Sequence, residues 1–257
     1  RVDVFRLQSE RRYQFLNSDI IDENGEFRVE GLPIGDYVLR ANIIDPAKYP
    51  ALLVTYFNNV MNQVTSWQDA TPITLGCNQW ADLNLTFAAI NEVLNGTGSI
   101  SGIVSYSNGE PQGARTMIKA SAQVGDVLVS NVPVVLRKKA NGQIIARTTT
   151  DENGIYNFEN LPDDEYEIVV DIPGLAMEST YDVIISSTES EVENRNFVIT
   201  QTGINTTNQY AIVATVDGEG VISNPGTKML NAGEGLSYTI APATGHFTED
   251  VLVNGVS

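Results

Sequence analysis

The side chains that most often act as nucleophiles or metal ligands are scarce in this chain, which has one histidine, His246, and one cysteine, Cys77. A serine or cysteine nucleophile activated by histidine requires the two side chains within hydrogen-bond reach, and metal sites built on several histidines need more than one. A single thiol also excludes an internal disulfide bond and a zinc site built on several thiolates. We therefore predict a protein that is not an enzyme, with Cys77 as a small buried apolar residue and His246 on the surface.

The net negative charge of the chain argues against some classes of binding partner. The 257 residues include 32 acidic and 15 basic side chains, for a formal net charge of −17. Nucleic-acid phosphates and anionic membrane surfaces both require clustered Lys and Arg, so neither is an expected partner. The sequence contains no apolar run of about 18 residues, and we expect no membrane insertion. A hydrophobic fraction of 42% is sufficient for ordinary packed cores.

The chain contains an internal sequence repeat. Residues 22–37 align with residues 151–166 at a spacing of 129, and eight of the sixteen positions are identical. Each copy opens with Asp-Glu-Asn-Gly, where Asp and Asn bond their own backbone and Gly accepts positive φ, and each continues to Leu-Pro and a tyrosine. The alternating residues beside this turn predict a hairpin in both copies. Two copies of one all-β domain are therefore expected.

Further strands are predicted around each repeat at residues 2–7, 37–40 and 83–87 of the first copy and at 99–106, 132–137, 166–170 and 195–199 of the second. The first-copy equivalent of strand 99–106 would precede Arg1, so we expect the first copy to be incomplete and the chain to belong to a longer protein. Small polar stretches at 96–98 and 201–207 are predicted linkers. Insertions are predicted at 45–69 of the first copy and 110–126 of the second.

These patterns predict three domains, at residues 1–90, 97–200 and 208–257. The third has a different pattern, with strands expected at 210–216, 221–223 and 236–241 around the turn Asp217-Gly218-Glu219-Gly220. No amphipathic stretch is long enough for a major helix.

The residues 148–158 with Leu161, Pro162 and Tyr166 resemble the carboxypeptidase regulatory-like domains and are similar to the collagen-adhesin B-type repeats. These families are prealbumin-like (Ig-like) β-sandwiches, which implies tandem sandwiches followed by a small partial β-repeat. Residues 218–220, 225–226 and 250–255 resemble bacterial internalin-type B repeats. The combination resembles secreted multidomain surface proteins of Bacteroidota, which implies export by type IX secretion.

The resemblance implies two kinds of candidate site. Related adhesin repeats bind calcium through carboxylate-rich loops, which makes Asp151, Glu152, Asp163 and Asp164 candidate ligands, with solvated turn residues as the alternative. Starch-binding modules share the sandwich and stack exposed aromatic rings on sugars, and the candidates for such stacking are Trp67, Trp80 and Tyr56. The alternative for these rings is packing within the protein.

The resemblance also implies an intramolecular isopeptide bond as a candidate. Such a bond joins a buried Lys on the first strand to an Asn on the last strand beside an acid. Asn194 and Asn196 lie at the end of the second copy, and Glu165 or Glu167 is available as the acid. The first strand, residues 99–106, contains no Lys, which favours ordinary strand residues.

Three functions fit these expectations. The first is a non-enzymatic extracellular or cell-surface stalk or adhesin segment that spaces or presents other domains of the same longer protein. The alternatives are accessory modules of a secreted peptidase or glycoside hydrolase, and a carbohydrate-binding module. Expected partners are neighbouring domains and a surface glycan or protein, and no cofactor is expected apart from the calcium candidate.

Overall fold

The computed structural model describes residues 1–9, 12–61, 63–107, 127–200, 202–231 and 233–253. The described part of the chain is all-β, as the sequence predicts, with one short 3-10 helix at Trp67–Asp69. No helix there has the length and hydropathy required to cross a membrane. The predicted insertion at 110–126 lies outside the described residues. We refer below to an N-terminal segment (residues 1–90), a central segment (97–207) and a C-terminal segment (208–253).

The N-terminal segment forms one sheet in the order β2-β1-β3-β4, with β5 also pairing with β3. Its strands are β1 (Val2–Ser9), β2 (Arg12–Asp19), β3 (Gly35–Ala41), β4 (Thr55–Tyr56) and β5 (Ile73–Leu75). Alternating residues of β1 and β3, among them Val2, Val4, Tyr37 and Leu39, are buried in its core. The alternate residues Asp3, Phe5, Val38 and Arg40 point to the opposite face and are also buried, so both faces of the sheet are covered here.

The central segment contains two packed sheets. One has the order β13-β11-β8-β9, and the other has the path β10-β6-β15-β16-β12, with β7 and β14 also pairing with β6. The strands are β6 (Gly98–Tyr106), β7 (Val127–Leu128), β8 (Pro133–Lys138), β9 (Ile144–Thr149), β10 (Ile155–Leu161), β11 (Asp164–Val170), β12 (Ala176–Met177), β13 (Asp182–Ile185), β14 (Glu191–Val192), β15 (Asn196–Ile199) and β16 (Gly203–Thr207). Inward side chains of both sheets form one continuous core.

The first sheets of the two segments correspond strand for strand. β3 and β11 begin 129 residues apart, at Gly35 and Asp164. Each pairs antiparallel on one side with the first strand of the hairpin before the repeat motif, β1 or β8, and on the other with β5 or β13, which pair in the same register. The hydroxyls of Tyr37 and Tyr166 each donate to the carbonyl four residues earlier, at Pro33 and Pro162. The repeat therefore encodes the same strand register twice.

Two strands that the sequence predicts in the N-terminal segment are absent. Residues 26–32, equivalent to β10, and residues 83–87 carry no strand assignment. In the central segment the equivalent residues pair with β6, β10 antiparallel and β15 parallel to it. Among the described residues no strand takes the place of β6 in the N-terminal segment, and a strand without a partner has no hydrogen-bond ladder.

The C-terminal segment forms two small ribbons, β17 (Gln209–Ala214) with β19 (Gly226–Asn231) and β18 (Gly220–Ile222) with β20 (Ile240–Pro242). Many of its apolar side chains are exposed, including Val221, Phe247 and Val253. The prediction of a linker at 201–207 is wrong, because Gly203–Thr207 form β16 and pair with β15.

The two side chains considered for nucleophilic chemistry both lie at the surface. Cys77 is exposed, so its prediction as a buried residue is wrong. It follows β5 in a turn where Gly76 N donates to Gln79 Oε1, at 2.7 Å. His246 is exposed, as predicted.

Candidate functional site

The N-terminal and central segments meet at a joint built largely by residues 45–69, the insertion that distinguishes the N-terminal segment. Tyr49, Tyr56 and Trp67 of this insertion each form a hydrogen bond with a residue of the central segment. The insertion positions β4 against β3, where Arg40 pairs with Tyr56 and Ala41 with Thr55. The insertion is thus a contact surface for the next segment of the same chain.

At the centre of the joint, the hydroxyl of Tyr56 donates to Oδ2 of Asp171 at 2.5 Å. Tyr56 is 1% exposed and Asp171 is 7% exposed. Asp171 directly follows β11, and its backbone N–H donates to Pro133 O, which fixes the carboxyl at the end of the sheet. Since a polar group removed from water must find a partner, each of these two residues satisfies the other.

A buried ion pair lies beside this bond. Arg40 Nη2 is 3.0 Å from Asp3 Oδ2, and the two side chains are 1% and 0% exposed. Asp3 and Arg40 stand opposite each other in the register of β1 and β3. Arg1 Nε also donates to Asp3 Oδ1, at 2.6 Å, and the Arg40 guanidinium lies 4.9 Å from the Phe5 ring centroid. Opposite charges at paired positions inside apolar strands are the sequence signal that predicts this pair, and our sequence reasoning missed it.

The burial of Asp171 changes its acidity. Desolvation raises the pKa of Asp171 from 3.8 to about 6, against the opposing effects of the Tyr56 hydrogen bond and the Arg40 charge. Burial, with the Asp171 charge next in size, raises the pKa of Tyr56 well above its ordinary value. The joint therefore holds one carboxyl whose protonation state changes at mildly acidic pH.

Three contacts surround the buried centre. Trp67 Nε1 donates to Leu175 O at 3.3 Å, and Arg147 Nη2 donates to Tyr49 O at 2.8 Å. In the connection between the segments, Glu92 Oε1 accepts from Lys138 Nζ at 2.9 Å. These bonds hold the N-terminal segment to β8, to β9 and to the turn after β11.

The connection between the two segments, residues 91–97, packs closely against the central segment at Gly96. Gly96 N donates to Asn160 O at 2.9 Å. A Cβ atom at Gly96 would lie 2.0 Å from the Leu161 carbonyl oxygen, a distance that no side chain tolerates. The residues predicted as a linker at this point are therefore packed against the corner between β10 and β11.

The polar groups at the centre of the joint are closed off from solvent. Perturbed pKa values often mark catalytic sites, although structural ion-pair networks also produce them. Arg40, Tyr56 and Asp171 are each less than a tenth exposed, so a substrate has no access to their polar atoms. The arrangement can hold two segments in one orientation and can respond to pH.

The structure separates the three aromatic residues predicted to bind sugars. Tyr56 is buried in the joint, and Trp67 is partly buried there, with its ring 5.8 Å from Tyr13 in an edge contact. Trp80 is 82% exposed and lies beside a groove on another part of the N-terminal segment. Sugar stacking therefore stays a prediction, and Trp80 alone of the three has a free ring face.

The candidate calcium ligands are turn residues in the structure. Asp151 Oδ1 accepts from the backbone of Asn153 and Ile155, at 2.8 and 2.9 Å. Asp164 accepts from Glu165 N and lies 3.7 Å from Lys138 Nζ, while Glu152 and Asp163 are exposed. Within the described ranges, no three His, Cys, Asp or Glu side chains converge as a metal site. Calcium binding remains a prediction.

Asn196, the isopeptide candidate, is a buried strand residue with hydrogen bonds at both ends of its amide. Its Oδ1 accepts from Ile103 N at 2.9 Å and its Nδ2 donates to Gln209 O at 2.5 Å. These bonds join β15 to β6 and to the start of β17. Of the other candidates, Asn194 and Glu165 are exposed, and Glu167 pairs with Arg137 at 2.6 Å.

Comparison with known proteins finds a domain family that is similar to the central segment. Residues 121–216 match the family described as SdrD B-like domain, which covers less than half of the chain. Colossin-A of Dictyostelium discoideum is 27% identical over 152 residues, or 59% of this chain, and the chain spans about 1% of its length.

Among solved structures, the major pilin subunit BcpA of Bacillus cereus is 14% identical, with a TM-score of 0.27 over 69% of this chain and 41% of BcpA. The minor pilin GBS52 of Streptococcus agalactiae is 11% identical, with a TM-score of 0.26 over 85% of each chain. The TIE protein of Bacillus anthracis is 16% identical, with a TM-score of 0.29 over 93% of this chain and 40% of that one.

Proposed function

We propose that this chain is a non-enzymatic spacer of a larger secreted or cell-surface protein, in which tandem β-sandwich modules hold neighbouring domains at a fixed distance and orientation. The observation that carries the proposal is the joint. A flexible tether would leave residues 91–97 free, whereas here Tyr56 and Asp171 form a buried hydrogen bond across the two segments. Domains joined by few contacts move independently, and buried polar contacts oppose that motion.

The family match supports an adhesin-type module. SdrD B-like domains resemble the collagen-adhesin repeats, and the match covers most of the central segment. The net charge of −17 also suits a segment that projects from a surface, because like-charged copies repel one another. Location at the cell surface and the partition into modules 1–90, 97–200 and 208–257 are parts of this proposal.

The proposal is tested by the distance between two spin labels. Glu23 and Glu152 are exposed and occupy equivalent positions in the two repeats, so Glu23→Cys and Glu152→Cys on a Cys77→Ser background place labels on either side of the joint. We expect a narrow distance distribution by pulsed electron resonance. A broad distribution in this labelled chain, comparable to that of a denatured control, would overturn the spacer function.

The joint itself is examined with a matched pair of variants in the same labelled background. Tyr56→Phe removes the buried hydroxyl and should broaden the distribution. Tyr49→Phe makes the same chemical change at an exposed ring. Tyr49 contributes its backbone carbonyl to the joint, and the substitution keeps that carbonyl, so the distance distribution should stay unchanged. Equal effects of the two variants would argue against the buried bond as the element that orients the segments.

A further inference from the structure

In the central segment, β6 is the strand that completes the sandwich. It lies between β10, to which it is antiparallel, and β15, to which it is parallel. Its inward residues Ile100 and Val104 are fully buried, and Tyr106 is 3% exposed. Its outward residues Ser101 and Ile103 are half-buried. Removing β6 would therefore leave β10 without a ladder, leave β15 paired with β16 alone, and expose the apolar core.

The N-terminal segment has an open groove at the equivalent place, which we call the strand groove. It has a volume of about 720 Å³ and lies between residues 27–32 on one side and β5, the turn after β5 and Leu83 on the other. Its floor is the core face of the N-terminal sheet, with Val4, Tyr37 and Leu39. Its walls carry apolar side chains, among them Phe27, Val29 and Leu83. The groove thus lies beside the residues equivalent to β10 and has an apolar floor.

The backbone along the walls forms no strand ladder, although Arg28 N donates to Asp19 Oδ2 and Glu30 O accepts from Asn17 Nδ2 on the side of β2. Residues 27–32 belong to no strand ladder within the part of the chain that the structure describes, nor do residues 83–87. In the central segment, Phe158 and Tyr156 pair with Ile100 and Gly102 of β6. At the repeat spacing of 129, the equivalents of Phe158 and Tyr156 are Val29 and Phe27, which should pair with an incoming strand in the same way. The strand groove therefore has a defined register and direction for an incoming strand.

We propose that the strand groove binds one extended peptide strand of the chemistry of β6, with apolar residues at alternate inward positions, antiparallel to residues 27–32 and parallel to residues 83–87. Gly98–Tyr106 is itself seated in the central segment, so the occupant that we propose is a separate peptide chain. Main-chain hydrogen bonds provide affinity in this mode of recognition, and side chains at every second position provide specificity. This site goes beyond the spacer function and does not depend on it.

The proposal is tested with a fluorescein-labelled peptide of the sequence of residues 98–106, titrated into the 257-residue chain and followed by fluorescence anisotropy. We expect saturable one-to-one binding. In the peptide, Ile100→Lys with Val104→Lys places two charges on the inward face and should weaken binding about a hundredfold or more, because two buried apolar side chains are lost. Ser101→Lys with Ile103→Lys adds the same charge to the outward face and should retain binding.

These peptide variants leave the protein unchanged, so a folding defect cannot explain the result. Attraction to the net charge of −17 would strengthen both lysine peptides equally. Equal affinity of the two lysine peptides, or no saturable binding of the parent peptide, would overturn the proposal. Dimerisation of the chain through the groove, seen by light scattering, would assign it to a second copy and would also overturn it.

The register is tested by cross-linking. Ile103 of β6 pairs with Ile155, whose equivalent in the N-terminal segment is Glu26. A peptide with Ile103→Cys should form a disulfide with the chain carrying Glu26→Cys and Cys77→Ser, since directly opposed strand residues have Cβ atoms about 4.5–5.5 Å apart. The control peptide with Ser99→Cys presents its thiol on the same face four residues away. Equal cross-linking by both peptides would contradict the predicted register.

Discussion

The Tyr56 hydroxyl donates a 2.5 Å hydrogen bond to Asp171, a residue 115 positions later in the chain and in a different sheet. Both side chains are buried, and the bond lies beside the buried pair of Arg40 and Asp3. A buried charge without a partner is costly, so each member of this cluster constrains the others. The orientation of the N-terminal segment on the central segment is thereby linked to a few side chains that can be changed singly.

Tyr56→Phe should lower the free energy of unfolding by about 1–3 kcal/mol, because it leaves the buried Asp171 carboxyl without its hydroxyl donor. The measurement is urea denaturation at pH 7.5, followed by circular dichroism and by tryptophan fluorescence. Tyr49→Phe, the same change at an exposed ring, should stay within about 0.5 kcal/mol of the parent. A parent-like stability for Tyr56→Phe would mean that the bond contributes little.

The stability of the joint should depend on pH through Asp171. Its pKa in the folded protein is about 6, raised from 3.8 by burial. A raised carboxyl pKa means that the folded state holds the proton more tightly, so the contribution of Asp171 is fully present below about pH 4 and is lost as the pH rises through 6. Two pKa units correspond to a loss of about 3 kcal/mol.

The variant Asp171→Asn isolates this effect, since it keeps an oxygen to accept from Tyr56 but does not titrate. Denaturation of both proteins at several pH values between 4 and 7.5 gives the difference in their unfolding free energies. That difference should shift in favour of the variant by up to about 3 kcal/mol as the pH rises. A difference that is constant across this range would rule out a raised pKa at Asp171.

Gly96→Ala should destabilise the protein by about 1–3 kcal/mol, because the new Cβ would lie 2.0 Å from the Leu161 carbonyl oxygen and would force the connection away from β10. Gly235→Ala is the matched control, since a Cβ there meets no atom within 4 Å. Thermal unfolding of both variants by calorimetry makes the comparison. If the two substitutions had the same effect, the connection would be looser than its geometry indicates.

Asp151→Ala should cost about 1 kcal/mol of stability whether calcium or a chelator is present, because Asp151 Oδ1 accepts two backbone hydrogen bonds in the turn before β10. Glu152→Ala changes the neighbouring exposed carboxylate and should have little effect. Thermal melts in calcium and in EDTA provide the test. If both variants were less stable than the parent in calcium but not in EDTA, these residues would instead belong to a calcium site.

Much of the fold could be predicted because it is encoded locally. The Asp-Glu-Asn-Gly turn, the alternating strands beside it and the repeat spacing of 129 predict β3 and β11, which begin 129 residues apart with the same register. The exposure of His246 also follows from its place in a polar turn. Turn chemistry and period-two alternation act within a few residues of sequence, and for that reason they can be read without coordinates.

The candidate site, and the structure of the segments that the sequence predicted wrongly, depend on contacts between residues far apart in the chain. The alternating residues 26–29 have the pattern of a strand and lack its partner, whereas the polar residues 203–207 have the composition of a linker and pair with β15. Strand pairing requires a second strand, and the burial of Tyr56 requires Asp171 from another sheet. The sequence alone determined the turns and most of the strands. The tertiary structure decided which strands pair and which polar side chains are buried, because hydrogen-bond ladders and desolvation depend on neighbours far along the chain.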